Sequence, residues 1–263
     1  MKVKLLVDSH YPTVSPDDPL TKARALMRDI GLRMLPIVEE GGSLYGIIKR
    51  ESVLLLTSTR STATVRDAAD RPRLVFRPDD DMFQSVRAMV EFDEWYSPVV
   101  DERNGKYVGV VSLTSFLGFM LRKGRLRAHM KVEEIMTTSP LEYVLPDEPI
   151  SRVWRKMVDL QISGFPVVRS AKTLELIGMI TQHDLLRRGY TRIELESPSG
   201  PRRGPRVKDA MMTPAISVSP KDEVAKVVKI LLDKEIGRVP VTDEKGSLIG
   251  IVDRSDAVKA FLR

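Results

Sequence analysis

One order of structural signals occurs four times along this chain. Each copy has an extended stretch with a V-x-P or similar motif, then acidic residues, an amphipathic segment, an apolar segment with a proline, a turn, and an apolar segment with a glycine. This repetition restricts the fold strongly, because one small unit must form four times. The proline and the glycine are 10 to 12 residues apart in each copy: Pro36 and Gly46, Pro98 and Gly109, Pro166 and Gly178, Pro240 and Gly250.

Hydrophobic periodicity predicts the elements of each copy. Apolar residues at 150, 153, 154, 157 and 158 follow the 3.6-residue period of a helix, and those at 224, 227, 228, 231 and 232 repeat it. The short apolar runs 165–168 and 176–180 predict two strands joined by a turn. We therefore expect a β-α-β-β-α unit. So small a unit buries little surface alone, so it should pair with a neighbour.

Composition limits the functions open to the chain. Its 263 residues include no cysteine, which excludes disulfides, thiolate zinc sites and a cysteine nucleophile. The histidines His10, His129 and His183 are not spaced as metal ligands. The common phosphate-loop, dinucleotide-binding, metalloprotease and serine-hydrolase motifs are missing from the sequence. We expect a protein that is not an enzyme and holds no metal or catalytic cofactor.

The sequence also bears on where the protein resides. The first residues reach the charged Asp8 too early for the apolar region of a signal peptide. No apolar run approaches the roughly 18 residues that a membrane helix needs. We therefore expect a cytoplasmic protein with no membrane partner.

The order of elements and several motifs resemble the CBS domain family. The segments KVEEIMTTSP (131–140) and RVKDAMMTPAISVSPKDEV (206–224) resemble the openings of CBS repeats. The segments LIGMITQHDLL (176–186) and IGRVPVTDEKGSLIGIVDRSDAV (236–258) resemble their closings. The resemblance implies a mixed α/β (α+β) fold in which four repeats pair into two Bateman modules forming a disc, similar to the γ subunits of AMP-activated protein kinase.

The resemblance also divides the chain. The first CBS pair would span residues 1–121, with repeats at about 8–58 and 62–121. The second would span 122–263, with repeats at about 131–189 and 206–263. The family's role implies a regulatory protein that senses a ligand and signals to a protein partner.

In this family a G-h-x-[ST]-x-x-D motif holds the ribose of an adenosine ligand, because a carboxylate can accept two hydroxyl hydrogen bonds. The third repeat has the complete motif, with Thr181 and Asp184, whereas the first two repeats have Ser52 and Ser115 in place of the aspartate. The ligand (AMP, ADP, ATP or S-adenosylmethionine) is therefore expected in the second pair. The residues implied are Thr181, Asp184, Gly164, Phe165, Pro166, Arg238, Val239, Pro240 and Asp256.

Two charged residues of the fourth repeat bear on the choice of ligand. Asp253 stands where the motif has Ser or Thr, and its charge should disfavour a nearby phosphate unless a cation offsets it. Arg238 could instead bind phosphate oxygens, which modestly favours a nucleotide over S-adenosylmethionine. Thr181 and Asp184 also fit a simple helix cap, and both roles can hold together.

An alternative function follows from two basic connectors. The net charge of +6 is concentrated in segments 122–131 and 187–208. Basic clusters of this kind can bind nucleic acid weakly through phosphates. Nucleic acid and a second copy of the chain therefore stay open as partners. The basic residues concerned are Arg122, Lys123, Arg125, Arg202, Arg203 and Arg206.

Overall fold

The computed structural model describes residues 1–54, 62–124, 130–190 and 204–262. Each repeat contains a helix, a two-stranded antiparallel hairpin and a closing helix. The helices are α1 (Leu20–Ile30), α2 (Arg50–Leu54), α3 (Met82–Glu91), α4 (Leu113–Arg122), α5 (Ile150–Asp159), α6 (Gln182–Arg187), α7 (Val207–Ala210), α8 (Val224–Asp233) and α9 (Arg254–Leu262). The strands are β1 (Met34–Val38), β2 (Leu44–Lys49), β3 (Tyr96–Val100), β4 (Tyr107–Ser112), β5 (Gly164–Val168), β6 (Leu176–Thr181), β7 (Arg238–Thr242) and β8 (Leu248–Asp253).

The β-α-β-β-α order is confirmed, with one difference in the opening stretch of each repeat. That stretch forms a single parallel bridge instead of a strand, for example between Val14 and Ile37 and between Val218 and Val241. Two hydrogen bonds hold the opening stretch there, and one of them runs from the Val38 N–H to the Val14 carbonyl at 2.8 Å. Pro36 has no N–H, but its carbonyl accepts a hydrogen bond from the Val14 N–H at 3.1 Å, so the opening stretch lies along the strand edge.

The first helix of each repeat ends in a left-handed residue that turns the chain toward the hairpin. The φ angles are 75° at Gly31, 52° at Asp93, 55° at Gln161 and 53° at Glu235. A left-handed residue after the last helical turn is a common helix stop. The residues that follow it lead into β1, β3, β5 and β7, so all four turns deliver side chains to equivalent places.

Each repeat exchanges its opening segment with its partner in the same half of the chain. Bridges join Ile47 to Asp70 in the first half and Met179 to Met212 in the second. The crossing requires glycine, because a Cβ atom at Gly178 would lie 2.8 Å from the Met212 carbonyl oxygen. These crossings are consistent with the pairing of CBS repeats into Bateman modules.

The two halves pack against each other through helices. Phe116 of α4 meets Phe261 of α9 edge to face, with 6.2 Å between ring centroids. On the other side, Leu186 of α6 is buried in the core cluster of the first repeat. Repeat 1 therefore contacts repeat 3, and repeat 2 contacts repeat 4, which leaves a cavity where all four meet.

Candidate functional site

A cavity of about 530 Å³ lies at the junction of the four repeats. Its wall is formed by the residues that follow the left-handed turns, by the first residues of the closing helices, and by opening segments of repeats 2 and 3. Thr137 and Pro140 come from the opening segment of repeat 3, and Ile251 comes from β8. Repeated turns therefore converge on one space that no single repeat could enclose.

Four of the residues predicted for ligand binding line this cavity, namely Gly164, Phe165, Arg238 and Asp256. Five others do not belong to its wall. Pro166, Val239 and Pro240 are buried behind it in their strands. Thr181 and Asp184 lie at the start of α6, also away from the wall.

Thr181 and Asp184 form a helix cap at α6. The Thr181 N–H and hydroxyl both donate to Asp184 Oδ2, at 2.8 and 2.6 Å. The Asp184 N–H donates back to Thr181 Oγ1 at 3.2 Å. Within the described part of the chain, nothing donates to the other carboxylate oxygen, Asp184 Oδ1, so that oxygen can still accept a ligand hydroxyl.

The same cap at α9 is built from two acids. The Asp253 N–H donates to Asp256 Oδ2 at 3.2 Å, and the Asp256 N–H donates to Asp253 Oδ1 at 3.0 Å. Asp256 is buried, and Lys259 Nζ lies 3.3 Å from its Oδ1. Burial, together with the Asp253 carboxylate, raises the pKa of Asp256 to about 6. No hydroxyl stands at position 253 to share a proton with its partner, as Thr181 does.

Arg238 joins repeat 4 to repeat 3 across the cavity. Its Nη1 donates to the Gly164 carbonyl at 2.8 Å and its Nη2 to Ser163 Oγ at 3.1 Å. Burial lowers the pKa of Arg238, whereas the nearby Asp253, Asp93 and Asp256 carboxylates act in the opposite direction. The guanidinium is therefore a partly buried cation with three carboxylates nearby.

A second group of cations surrounds Trp95. The Arg33 guanidinium carbon lies 4.1 Å from the Trp95 ring centroid, within cation–π range. Arg254 lies 5.8 Å from the same ring, and its Nη1 donates to the Tyr96 hydroxyl at 2.9 Å. Burial lowers the pKa of Arg33 to about 9, and nearby arginines, among them Arg50, contribute in the same direction. Trp95 thus occupies space that belongs to the first pair and packs against both halves.

Sequence reasoning missed Glu94, which organises the first-pair side of the cavity. Glu94 is buried and its Oε1 lies 2.8 Å from Lys49 Nζ and 3.9 Å from Arg73 Nε. Its counterparts in the later copies are Ile162 and Ile236. The sequence did carry a signal for Glu94, namely an acidic residue at a position that is apolar in the later copies. Burial of a charge requires a partner, and the two cations supply it.

The residues predicted to contact nucleic acid are only partly described. Arg122 and Lys123 are exposed at the end of α4. Arg206 Nη1 donates to the Asp147 carbonyl at 2.7 Å, so it supports the start of repeat 4. Arg125, Arg202 and Arg203 lie outside the described residues. Nucleic-acid binding therefore stays a prediction.

Within the described ranges, no three His, Cys, Asp or Glu side chains come together in a way that could hold a metal ion. No helix in the same ranges has the length and apolar character needed to cross a membrane.

Family comparison decides what this arrangement is. The sequence model of the CBS domain matches residues 3–57, 65–122, 132–190 and 207–263. The chain belongs to the CBS domain family. The resemblance inferred from the motifs is therefore confirmed, with four copies of the domain. Proteins of this family are generally regulatory and not catalytic.

Relatives extend this result over the full chain. Protein MJ1404 of Methanocaldococcus jannaschii, itself uncharacterized, is 28% identical over 265 residues, which cover 98% of this chain and 61% of that protein. The γ-3 subunit of 5′-AMP-activated protein kinase from Sus scrofa is 22% identical over 203 residues, covering 73% of this chain and 38% of the subunit. The chain thus spans less than two thirds of the length of these two relatives.

A solved structure resembles the whole fold. The crystal structure of MJ1225 from M. jannaschii, described as a proposed archaeal homologue of γ-AMPK, aligns with a TM-score of 0.86. The alignment covers 99% of this chain and all of that one at 20% sequence identity. At this identity the likeness shows the fold.

Proposed function

We propose that this protein is a regulatory sensor that binds an adenosine-containing ligand in its second CBS pair and transmits the bound state to a protein partner. The observation that carries the proposal is the convergence of Gly164, Phe165, Arg238 and Asp256 on one cavity. Its volume of about 530 Å³ falls in the range of about 300–1,000 Å³ typical of small-molecule sites.

The chemistry of the wall suits a nucleoside. Asp256 supplies a buried carboxylate that can accept hydrogen bonds from two ribose hydroxyls. Ile251 offers apolar surface to a base, and the segment from Thr137 to Pro140 offers backbone groups that could bind its edge. The ribose site of this proposal is therefore the fourth-repeat carboxylate. Thr181 and Asp184 remain a proposed second ribose site, through the free oxygen of Asp184.

Signalling follows from the position of the cavity. All four repeats contribute to its wall, so a ligand there contacts both halves of the chain. A ligand shifts a conformational equilibrium only if it binds the two states with different affinity. Arg238 already connects repeats 3 and 4, so a ligand that changes its hydrogen bonds changes how those repeats pack.

Calorimetric titration tests the proposal. Protein stripped of ligand should release or absorb heat with adenosine, AMP, ADP, ATP or S-adenosylmethionine, and it should unfold at a higher temperature when the ligand is bound. A chain that binds none of these would not be an adenosine sensor.

Two matched variants test which half holds the ribose. Asp256→Ala should weaken binding strongly, because it removes the carboxylate. Ser52→Ala changes the equivalent residue of the first repeat, which lines the same cavity. It should leave affinity within about twofold, because a substitution that breaks no buried contact changes free energies little. The reverse result would place the ligand in the first pair.

A further inference from the structure

The wall of the cavity has an excess of negative charge. Four basic and seven acidic side chains line it, a formal balance of −3. This sign differs from the +6 of the whole chain. A ligand that enters the cavity therefore meets an acidic environment inside a basic protein.

The cations in the wall are already engaged. Lys49 and Arg73 both lie near the Glu94 carboxylate, and the Arg33 guanidinium stacks on Trp95. Arg238 donates to a backbone carbonyl and a serine hydroxyl of repeat 3. A phosphate would have to compete with these contacts.

The acids near Arg238 are less well compensated. Asp93, Asp253 and Asp256 are the three carboxylates that act on Arg238. Glu142 has its own partner, Lys156 Nζ, at 2.6 Å. Lys259 is an exposed neighbour of Asp256, and its Nζ lies outside the cavity wall. Asp256 is thus paired with Lys259, and Asp93 accepts a hydrogen bond from Trp95 Nε1 at 3.3 Å, whereas Asp253 has no ion pair among the described residues.

Geometry sets which part of a ligand meets these acids. Asp253 and Asp256 lie three residues apart at the start of α9, so their carboxylates are on one face of the first helical turn. Both residues line the cavity, so a ribose held by Asp256 would lie beside Asp253. Asp93, from repeat 2, lines the same cavity from the other half of the chain.

We propose that this cavity selects an adenosyl ligand with a net positive charge, an adenosyl sulfonium such as S-adenosylmethionine, over nucleoside phosphates, and that Asp253 determines this specificity. The inference rests on the proposed function and names the ligand class of the same site. A 5′ sulfonium between Asp253 and Asp93 is attracted by both carboxylates, whereas a 5′ phosphate in that place is repelled by both.

This assignment reverses the preference drawn from the sequence. There, Arg238 was considered as a phosphate ligand. In the structure its donors bind the Gly164 carbonyl and Ser163 Oγ, and three carboxylates lie near it. The third repeat provides the comparison, because Thr181 stands where the fourth repeat has Asp253.

The test is a titration series on the full chain with S-adenosylmethionine, 5′-methylthioadenosine, AMP and ATP, the nucleotides with and without Mg²⁺. We expect S-adenosylmethionine to bind at least about tenfold more tightly than AMP at neutral pH. Asp253→Thr should weaken S-adenosylmethionine, strengthen AMP, and reduce the ratio of the two affinities by about tenfold or more. Asp253→Asn, which keeps the shape of the side chain, should reduce the ratio in the same direction.

The control variant is Asp233→Asn, which removes one negative charge from an exposed site at the end of α8, away from this cavity. It should leave the ratio unchanged. If 5′-methylthioadenosine binds but AMP or Mg²⁺-ATP binds more tightly than S-adenosylmethionine, the selectivity inference is wrong and the adenosine site stands. If no adenosyl compound binds, both proposals fail.

Discussion

Two helix caps of this protein share one geometry but differ in chemistry. At α6, Thr181 and Asp184 cap each other, and the threonine hydroxyl donates to the carboxylate at 2.6 Å. At α9, Asp253 and Asp256 exchange the same backbone hydrogen bonds, but neither ionised side chain can donate to the other. In the α6 cap, the threonine hydroxyl donates to the carboxylate. In the α9 cap, two carboxylates repel each other, and the surrounding residues must offset that repulsion.

The α9 cap faces the cavity at the junction of the four repeats. Asp256 lines that cavity together with Asp253, while Thr181 and Asp184 do not. The complete motif of repeat 3 thus forms a helix cap away from this cavity. The motif of repeat 4, which has an extra acid, lines a cavity large enough for a ligand. Agreement with a sequence pattern does not by itself rank the members of a repeat as binding sites.

The largest effect should come from removing Arg238, which joins repeats 3 and 4. Arg238→Met loses two hydrogen bonds to repeat 3 and a positive charge near Asp253, Asp93 and Asp256, so the unfolding free energy should fall by about 2–4 kcal/mol. Urea denaturation measures it. Arg206→Met is the control, because Arg206 also donates to a backbone carbonyl but is more exposed, and it should cost less than about 1 kcal/mol. Equal losses would mean that the charge environment of Arg238 has no special role.

Ligand affinity should separate the two caps next. Asp256→Ala should weaken binding of S-adenosylmethionine by about 1.5–3 kcal/mol, the range for hydrogen bonds to a charged group. Asp184→Ala should weaken it by less than about 0.5 kcal/mol, since this residue does not line the cavity. Calorimetry on both variants decides the matter. A larger loss for Asp184→Ala would move the ribose to the third repeat.

The pH dependence of stability should also differ between the caps. Because the pKa of Asp256 is about 6 in the folded chain and lower when unfolded, the folded state takes up the extra proton as pH falls through this interval. The unfolding free energy should therefore gain on the order of 1–2 kcal/mol from this group between pH 7 and pH 5.

Urea denaturation at the two pH values measures this gain. Asp256→Asn should remove that part of the increase, whereas Asp184→Asn should keep it. If the unfolding free energy of Asp256→Asn still rises between pH 7 and pH 5, the rise must come from other groups. Asp93 is one of them, because burial and the Asp253 carboxylate raise its pKa.

The smallest effects concern the capping residues themselves. Thr181→Val removes the hydroxyl that both accepts and donates a hydrogen bond in the α6 cap. It should lower the unfolding free energy by about 1 kcal/mol. Asp253→Asn keeps a good capping residue while removing a like charge, so stability should hold or rise by a few tenths of a kcal/mol. Thermal melts of the two variants should therefore shift in opposite directions or differ clearly in size. A loss in both would show that the α9 pair is not strained by its charges.

Much of the local structure was readable from the chain. The helical period in 150–158 and 224–232 predicted α5 and α8, and the proline and glycine positions predicted the hairpins, because these patterns depend on neighbouring residues. Asp256, the proposed ribose carboxylate, was also named from its motif. The role of Glu94 was not, since its partner Lys49 is 45 residues away and no local pattern joins them.

The sequence by itself determined the repeat, because the repeat follows from spacing along the chain. Its resemblance to CBS domains then gave the family, the fold class and the candidate ligand residues. Only the tertiary structure decided which of those side chains share a cavity and what charge that cavity has. Asp93 comes from repeat 2, Ser163 from repeat 3 and Arg238 from repeat 4, and their meeting depends on how two halves pack through helices. Electrostatic interactions fall with distance in space, not along the chain, so the charge that a ligand meets is a property of the packed molecule.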